Sequence, residues 1–204
     1  MKILLFSCIA PSKDLAVNVK KRELEYFMCF NSLERYRNEY DQLFLFDNSI
    51  NHVNELRLNL WKTSAHFIPF DGVSENRLFL SRKLYSEDND VGFYNMLKKA
   101  SSLFSHDEDI LVINARHYFA KNTLIEKARL SLLEGVSALV KHDSGYLDNF
   151  IACKAGVLAE VNHFDNIKDF IGHISQNCNS IEYGDLGIIR TELDGGHIIK
   201  IIEF

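Results

Sequence analysis

Short apolar runs alternate with amphipathic stretches along the first half of the sequence. Residues 3–10 predict a first strand, which the turn formers Pro11-Ser12 would close. Residues 42–46 predict a second strand, and it ends in the turn-forming segment Asp47-Asn48-Ser49. The other elements predicted in this half are a less regular helix and a third strand, over 51–60 and 65–70.

An amphipathic helix is predicted between the first two strands. Its apolar face would carry Leu24, Phe27, Met28, Leu33 and Tyr36. The charged residues would lie elsewhere on the helix: Lys20, Arg22, Glu25, Glu34 and Arg35.

The clearest helical pattern lies in the middle of the chain. From Phe93 to Phe104 apolar side chains recur three and four residues apart, and Asp90 is a plausible N-cap. The apolar run 110–113 predicts a strand that ends abruptly at Asn114-Ala115-Arg116-His117. Later predicted elements are a helix over 122–133 capped by Asn122, strands over 136–140 and 150–153, a helix within 165–176 and a last strand over 197–202.

This alternation predicts an α/β fold with a mostly parallel sheet and helices on both faces. The chain has 204 residues, 47% of them hydrophobic, and shows no repeat or internal boundary, so we expect one domain spanning 1–204. A net charge of -5 does not favour a nucleic-acid-binding surface. No apolar run approaches the length of a membrane helix.

Cysteine usage indicates a reducing compartment. The four cysteines are scattered and form no Cys-x-x-Cys pair, which favours buried thiols in a cytoplasmic protein over disulfides or a zinc site. The histidines lack zinc-hydrolase spacing, and the chain contains neither a phosphate-binding P-loop nor a Gly-x-Ser-x-Gly nucleophile motif.

Polar residues follow three of the predicted strands. In open α/β sheets ligands bind beyond the carboxyl ends of the strands, so residues 7–13, Asp47-Asn48-Ser49 and Asn114 to His117 become candidates. Asp47-Asn48-Ser49 is equally well explained as a plain turn. An arginine directly after a buried strand requires an anionic partner, and a phosphate or carboxylate of a ligand would serve.

The order of these motifs resembles the nucleotide-binding half of GT-A glycosyltransferases, above all the family 2 type that adds sugars to bacterial polysaccharides. Phe46-Asp47-Asn48-Ser49 is similar to that family's Asp-Asn-Ser motif, and 89–95 is similar to its Asn-x-Gly…Asn segment. Ile110 to Arg116 falls where the family has a strand ending in Asp-x-Asp. The resemblance covers about 1–140, and it implies that Asp47, with Asn48, contacts the nucleotide base.

The chain departs from the family at its metal site. The last acid of the Asp-x-Asp motif ligates a divalent metal in the family, but this chain has Arg116 there, and a guanidinium cannot bind a metal. Mn²⁺ or Mg²⁺ is therefore disfavoured. Either Arg116, with Asn114, offsets the charge of the donor diphosphate without metal, or the donor site is lost and the domain is non-catalytic.

An inverting transferase also needs a carboxylate base near the acceptor hydroxyl. The polar segment 141–149 predicts a loop with Asp143 and Asp148 as candidates, although both residues also suit a solvated turn. The resemblance implies a late basic residue near the phosphates, which His197 could supply; Gly195-Gly196 beside it also suits a hairpin turn.

The resulting hypothesis is a glycosyltransferase that moves a sugar from a nucleotide-sugar donor to a bacterial surface polysaccharide or lipid-linked glycan. Residues of about 1–140 would bind the donor, and about 141–204 would form the acceptor side. The small size suggests that a second copy or a partner subunit completes the acceptor site. The alternative is a non-catalytic domain of the same fold that holds a partner glycan-synthesis enzyme.

Overall fold

The computed structural model describes residues 1–7, 19–47, 79–80, 89–142, 145–194 and 197–203. Several predicted features therefore lie outside the described residues: the turn at 11–12, the helix over 51–60, the strand over 65–70, Asn48 and Asp143.

Ten strands and five α-helices make up the described part of the chain. The strands are β1 (Lys2–Ser7), β2 (Gln42–Asp47), β3 (Phe79–Leu80), β4 (Asp109–Asn114), β5 (His117–Phe119), β6 (Ser137–His142), β7 (Gly145–Lys154), β8 (Cys178–Glu182), β9 (Ile188–Asp194) and β10 (His197–Glu203). The α-helices are α1 (Val19–Glu34), α2 (Asn89–Ser101), α3 (Thr123–Leu133), α4 (Ala155–Ala159) and α5 (Ile167–Ile174). Short 3-10 helices lie at Arg37–Glu39, Glu160–His163, Ser175–Asn177 and Tyr183–Asp185.

Seven of the strands form the main sheet, in the order β3-β2-β1-β4-β7-β6-β8. Strand β7 runs against both of its neighbours, and every other neighbouring pair in this sheet is parallel. The remaining three strands form an antiparallel sheet in the order β10-β9-β5.

Alternating side chains of the central strands point to opposite faces of the main sheet and enter two separate cores. Ile3 and Leu5 of β1 contact the core beneath α1 and α3, whereas Leu4 and Phe6 contact the core beneath α2, α4 and α5. Because both faces are covered, β1, β2 and β4 are continuous apolar runs rather than alternating ones. The predicted α/β fold with helices on both faces is confirmed.

The hydroxyl group of Tyr94 links α2 to the segment that follows α4. It lies 3.0 Å from the backbone carbonyl oxygen of Val161 and within hydrogen-bond distance of the carbonyl oxygen of Phe164. The contact fastens two elements that cover the same face of the main sheet.

The structure corrects two sequence-based predictions near the ends of elements. Asp90 is the second residue of α2 and not its N-cap. Strand β7 starts at Gly145, so Asp148 lies in a strand and not in the loop predicted over 141–149. The division into a donor-binding part (1–140) and an acceptor part (141–204) stays a prediction.

No helix within the described ranges is long and apolar enough to cross a membrane.

Candidate functional site

The ends of β1, β2 and β4 meet at one edge of the main sheet. Ser7 at the end of β1 pairs with Asp47 at the end of β2, and Phe6 pairs with Asn114 at the end of β4. The backbone N–H of Ala115 donates to the carbonyl oxygen of Phe6 at 2.9 Å and continues this pairing by one residue. With a strand spacing near 4.8 Å, the backbones of Asp47 and Asn114 lie about 10 Å apart.

This edge is also the point where the strand order reverses. From β1 the chain goes to β2 and β3 on one side, and it returns to β4 on the other side. A crevice opens beyond the carboxyl ends of the strands at such a point, and ligands of open α/β sheets bind there. The backbones of Asp47 and Asn114 thus end two strands that flank β1, at the same edge of the sheet. Their role in binding a ligand stays a prediction.

The reversed strand β7 brings a further candidate to the same edge. Phe150 of β7 pairs with Ile113 of β4, and Asp148 precedes Phe150 by two residues. Since β7 is antiparallel to β4, its early residues lie beyond the carboxyl end of β4. The backbone of Asp148 thus reaches the edge that carries Asn114.

Arg116, in the turn after β4, is held by an acid that the sequence did not single out. Its Nε donates to Oε2 of Glu25 in α1 at 3.2 Å. The Glu25 side chain is 1% exposed and the Arg116 side chain 29%. The anionic partner expected for this guanidinium is therefore at least partly a residue of the chain itself.

The position of Glu25 also corrects the helical face predicted for α1. The sequence pattern placed Glu25 away from the apolar face, but the residue is buried beside Tyr26 and Cys29. Its Oε1 is buried and has no hydrogen-bond partner among the described residues. The only sequence signal for this was an acid inside an otherwise apolar stretch of helix.

Directly after Arg116, a row of contacts ties β5 and the residue after it to α1 and to the two residues that follow α1. The backbone N–H of Phe119 donates to Oγ of Ser32 at 3.0 Å, and Nη2 of Arg35 donates to the Phe119 carbonyl oxygen at 2.5 Å. The hydroxyl of Tyr36 donates to the carbonyl oxygen of Ala120 at 2.8 Å. These bonds fix β5 along α1, and with it the turn that carries Arg116.

His117 stabilises the same turn from the other side. Its Nδ1 lies 3.1 Å from the carbonyl oxygen of Asn114, and its ring meets Phe150 edge-on at 4.9 Å between centroids. Beneath it, burial raises the pKa of the Cys29 thiol to about 12, although a hydrogen bond with the His117 backbone opposes the shift. The turn therefore packs against the buried core that contains Cys29.

His197 begins β10 and lies farther from the strand ends. Arg190 of β9 pairs with His117, and Asp194, four residues later, pairs with His197. Measured along the strands, the His197 backbone therefore lies about 13 Å from His117. The displacement is towards the end of β5 that Arg116 precedes. The backbone pairing alone does not bring His197 next to Arg116.

The described residues at the end of β4 do not fit a divalent metal. Arg116 occupies the position where the family has an acid, and its guanidinium already binds a carboxylate. Within the part of the chain that the structure describes, no group of three or more His, Cys, Asp and Glu side chains could hold a metal ion.

A separate cleft of about 310 Å³ lies at the opposite edge of the sheet, where β6 starts and α5 ends. Glu160 and His173, in contact at 3.0 Å, are among the residues that line it, together with Ser137. None of the candidate residues at the carboxyl ends of the strands contributes to this cleft.

Solved structures of other proteins superpose on this chain, in agreement with its sheet topology. A protein assigned as a nucleotide-diphospho-sugar transferase from Desulfovibrio desulfuricans G20 superposes with a TM-score of 0.53 at 12% sequence identity, over 89% of this chain and 79% of that one. A protein from Aquifex aeolicus VF5 also gives a TM-score of 0.53, at 11% identity, over 89% of this chain and 85% of that one. No family model matches the sequence, and no curated protein matches it at a significant level. The chain thus has a GT-A-like α/β fold, similar to that of the Desulfovibrio protein.

Proposed function

We propose that the protein is a glycosyltransferase that uses a nucleotide-sugar donor and a glycan acceptor, either a bacterial surface polysaccharide or a lipid-linked glycan. The observation that supports this most is the convergence of β1, β2 and β4, with Asp47 and Asn114 at their ends, where the strand order of a GT-A-like sheet reverses.

In this proposal the donor lies across the strand ends. Asp47, with Asn48, recognises the nucleotide base, and Asn114 and Arg116 bind the diphosphate. Arg116 suits this role because its planar guanidinium can donate two parallel hydrogen bonds to phosphate oxygens. His197 contributes a further donor to the phosphates.

The reaction is a substitution at the anomeric carbon of the donor sugar. The acceptor hydroxyl oxygen forms a new bond to that carbon, and the bond to the diphosphate oxygen breaks. The nucleoside diphosphate leaves with the bonding electrons, and Arg116 stabilises its charge in place of a metal. If the outcome is inversion, Asp143 or Asp148 accepts the proton of the acceptor hydroxyl.

Calorimetric titration with common sugar nucleotides, in EDTA and then in Mn²⁺, tests the proposal. We expect at least one donor to bind in EDTA, and Asp47→Asn to weaken its binding. Asp41→Asn is the matched control, because Asp41 precedes the other end of the same strand and binds the Met1 amino group there.

Two other outcomes of the titration would contradict the proposal. Binding that requires Mn²⁺ would contradict metal-independent transfer. A folded protein that binds no sugar nucleotide would contradict the enzyme and favour the non-catalytic domain that holds a partner.

A further inference from the structure

Glu25 is a buried acid whose presence needs a physical reason. Its side chain is 1% exposed, one oxygen contacts Arg116, and the other has no partner among the described residues. Burying a carboxylate costs several kcal/mol, and an apolar residue of similar volume would often stabilise the fold equally well or better. A purely structural role therefore gives little reason for an acid at this position.

The geometry of the pair leaves most of the guanidinium available. Nε is the atom that binds Glu25, and no described residue accepts a hydrogen bond from Nη1 or Nη2 of Arg116. A guanidinium has five N–H donors in a fixed plane, so four remain after Nε is used. Because Arg116 is 29% exposed and Glu25 is not accessible, an incoming anion reaches the guanidinium and not the carboxylate.

We propose that Glu25 is a positioning residue: it holds Arg116 by Nε, so that Nη1 and Nη2 are presented to the phosphate oxygens of a diphosphate ligand. This inference rests on the proposed function and assigns a second residue to its donor site. An arginine side chain held in advance loses less conformational entropy when the ligand binds.

Contacts between α1 and β5 hold the backbone that carries Arg116. The effect of Glu25 on the Arg116 side chain can therefore be measured separately. The turn that carries Arg116 is fixed independently, through Ser32 and its bond to Phe119. Losing Glu25 should therefore free the Arg116 side chain while the turn stays in place.

The experiment uses pyrophosphate as the probe and the full chain in four forms. Glu25→Gln keeps an oxygen that can accept from Nε but removes the negative charge, so we expect pyrophosphate affinity to stay equal or rise. Glu25→Met removes the same charge but also the acceptor, and it retains most of the volume. We expect its affinity to lie about two- to tenfold below that of Glu25→Gln, the order associated with ordering one long side chain. Ser101→Ala is the matched control, because its buried hydroxyl lies in α2 on the other face of the sheet. It should leave affinity unchanged, even if the melting temperature falls.

A second readout needs no ligand. In ¹⁵N-resolved NMR spectra, the Nε–H of Arg116 should be protected from exchange in the wild type and in Glu25→Gln, and should exchange rapidly in Glu25→Met. Arg116→Lys identifies the resonance. A merely structural role for Glu25 would not produce rescue by Gln in both measurements.

The results separate this inference from the proposed function. If Glu25→Met binds pyrophosphate as tightly as Glu25→Gln, or the wild type does not bind it, the inference is overturned, while sugar-nucleotide binding can still stand. If pyrophosphate binding follows Glu25 as expected but no sugar nucleotide binds, the proposed function fails and the positioning role stands.

Discussion

Removal of Arg116 and removal of Glu25 should lower the free energy of unfolding by unequal amounts. Arg116→Ala leaves the Glu25 carboxylate buried at 1% exposure without its only described partner. Breaking a fully buried pair in this way costs about 3–5 kcal/mol. Because the Arg116 side chain is 29% exposed and partly solvated, we expect a smaller loss, about 2–3 kcal/mol in the free energy of unfolding.

Glu25→Met removes the same contact by replacing the acid instead of the arginine. The remaining guanidinium can reach water, and the methionine fills the space with apolar atoms, so the loss should stay within about 1 kcal/mol. For a chain of this size, 1 kcal/mol corresponds to about 2–4 °C in melting temperature. Arg116→Ala should therefore lower the melting temperature by about 4–12 °C, and Glu25→Met by no more than about 4 °C.

Thermal melts and urea denaturation of both variants and of the double variant measure the asymmetry. The double variant should be more stable than Arg116→Ala alone, because it no longer buries an unpaired charge. The control is Arg129→Ala, whose partner Glu39 is 34% exposed and already solvated; we expect a loss below about 1 kcal/mol. A loss for Arg116→Ala as small as for this control would refute the reasoning.

Three further predictions follow from the two cores and the main-chain geometry. Burial raises the pKa of the Cys29 and Cys153 thiols from 9.0 to about 12, so the folded state favours the neutral thiols. That stabilisation is complete below pH 9 and is lost as the pH rises towards 12, by about 1.4 kcal/mol per pH unit for each cysteine; urea denaturation from pH 8 to 11 should show the decline, and a Cys→Ala variant should show a shallower one. Tyr94→Phe removes a buried hydroxyl bond, although the Val161 and Phe164 carbonyls keep donors in the Phe164 N–H and the Lys98 amino group, and it should destabilise the fold by about 1 kcal/mol. Tyr36→Phe, whose hydroxyl contact is exposed, should cost less than half as much, and equal losses in thermal melts would contradict the assignment. Gly187→Ala should cost about 1 kcal/mol or more because the residue has φ +60° and an added Cβ would lie 2.9 Å from the Lys121 side chain; an unchanged melting temperature would contradict strain at this position.

The central strands could be predicted because they are buried on both faces. The runs that form β1, β2 and β4 are continuous in apolar residues, and their polar ends mark where each strand leaves the core. Parallel pairing then places those ends at a common edge. The candidate positions Asp47 and Asn114 follow from local pattern plus one topological rule.

The buried face of α1 could not be predicted in the same way. Residues 24–33 are apolar on almost every side of the helix, so periodicity does not select one face. The contact that matters joins Glu25 to Arg116, 91 residues later in the chain. No local sequence pattern encodes such a contact, because it depends on how β5 packs along α1.

Strands β8 and β9 and the early part of β7 were missed because they lack a continuous apolar run. Strand β8 has the sequence Cys-Asn-Ser-Ile-Glu, with only Ile181 fully buried. Its strand conformation comes from pairing with β6. Pairing with neighbouring strands decided these elements, because the preference of a segment for the strand conformation depends strongly on its tertiary context.

The order of the strands has a consequence for how this chain can be divided. Strand β7, which follows residue 144, is inserted between β4 and β6, and both of those neighbours start before residue 140. A fragment that stopped near residue 140 would leave β4 with a bare row of backbone hydrogen-bonding groups beside its apolar core, a template for aggregation. Recombination or truncation at that point should yield insoluble material, and any engineered exchange of the C-terminal part would have to preserve the inserted strand.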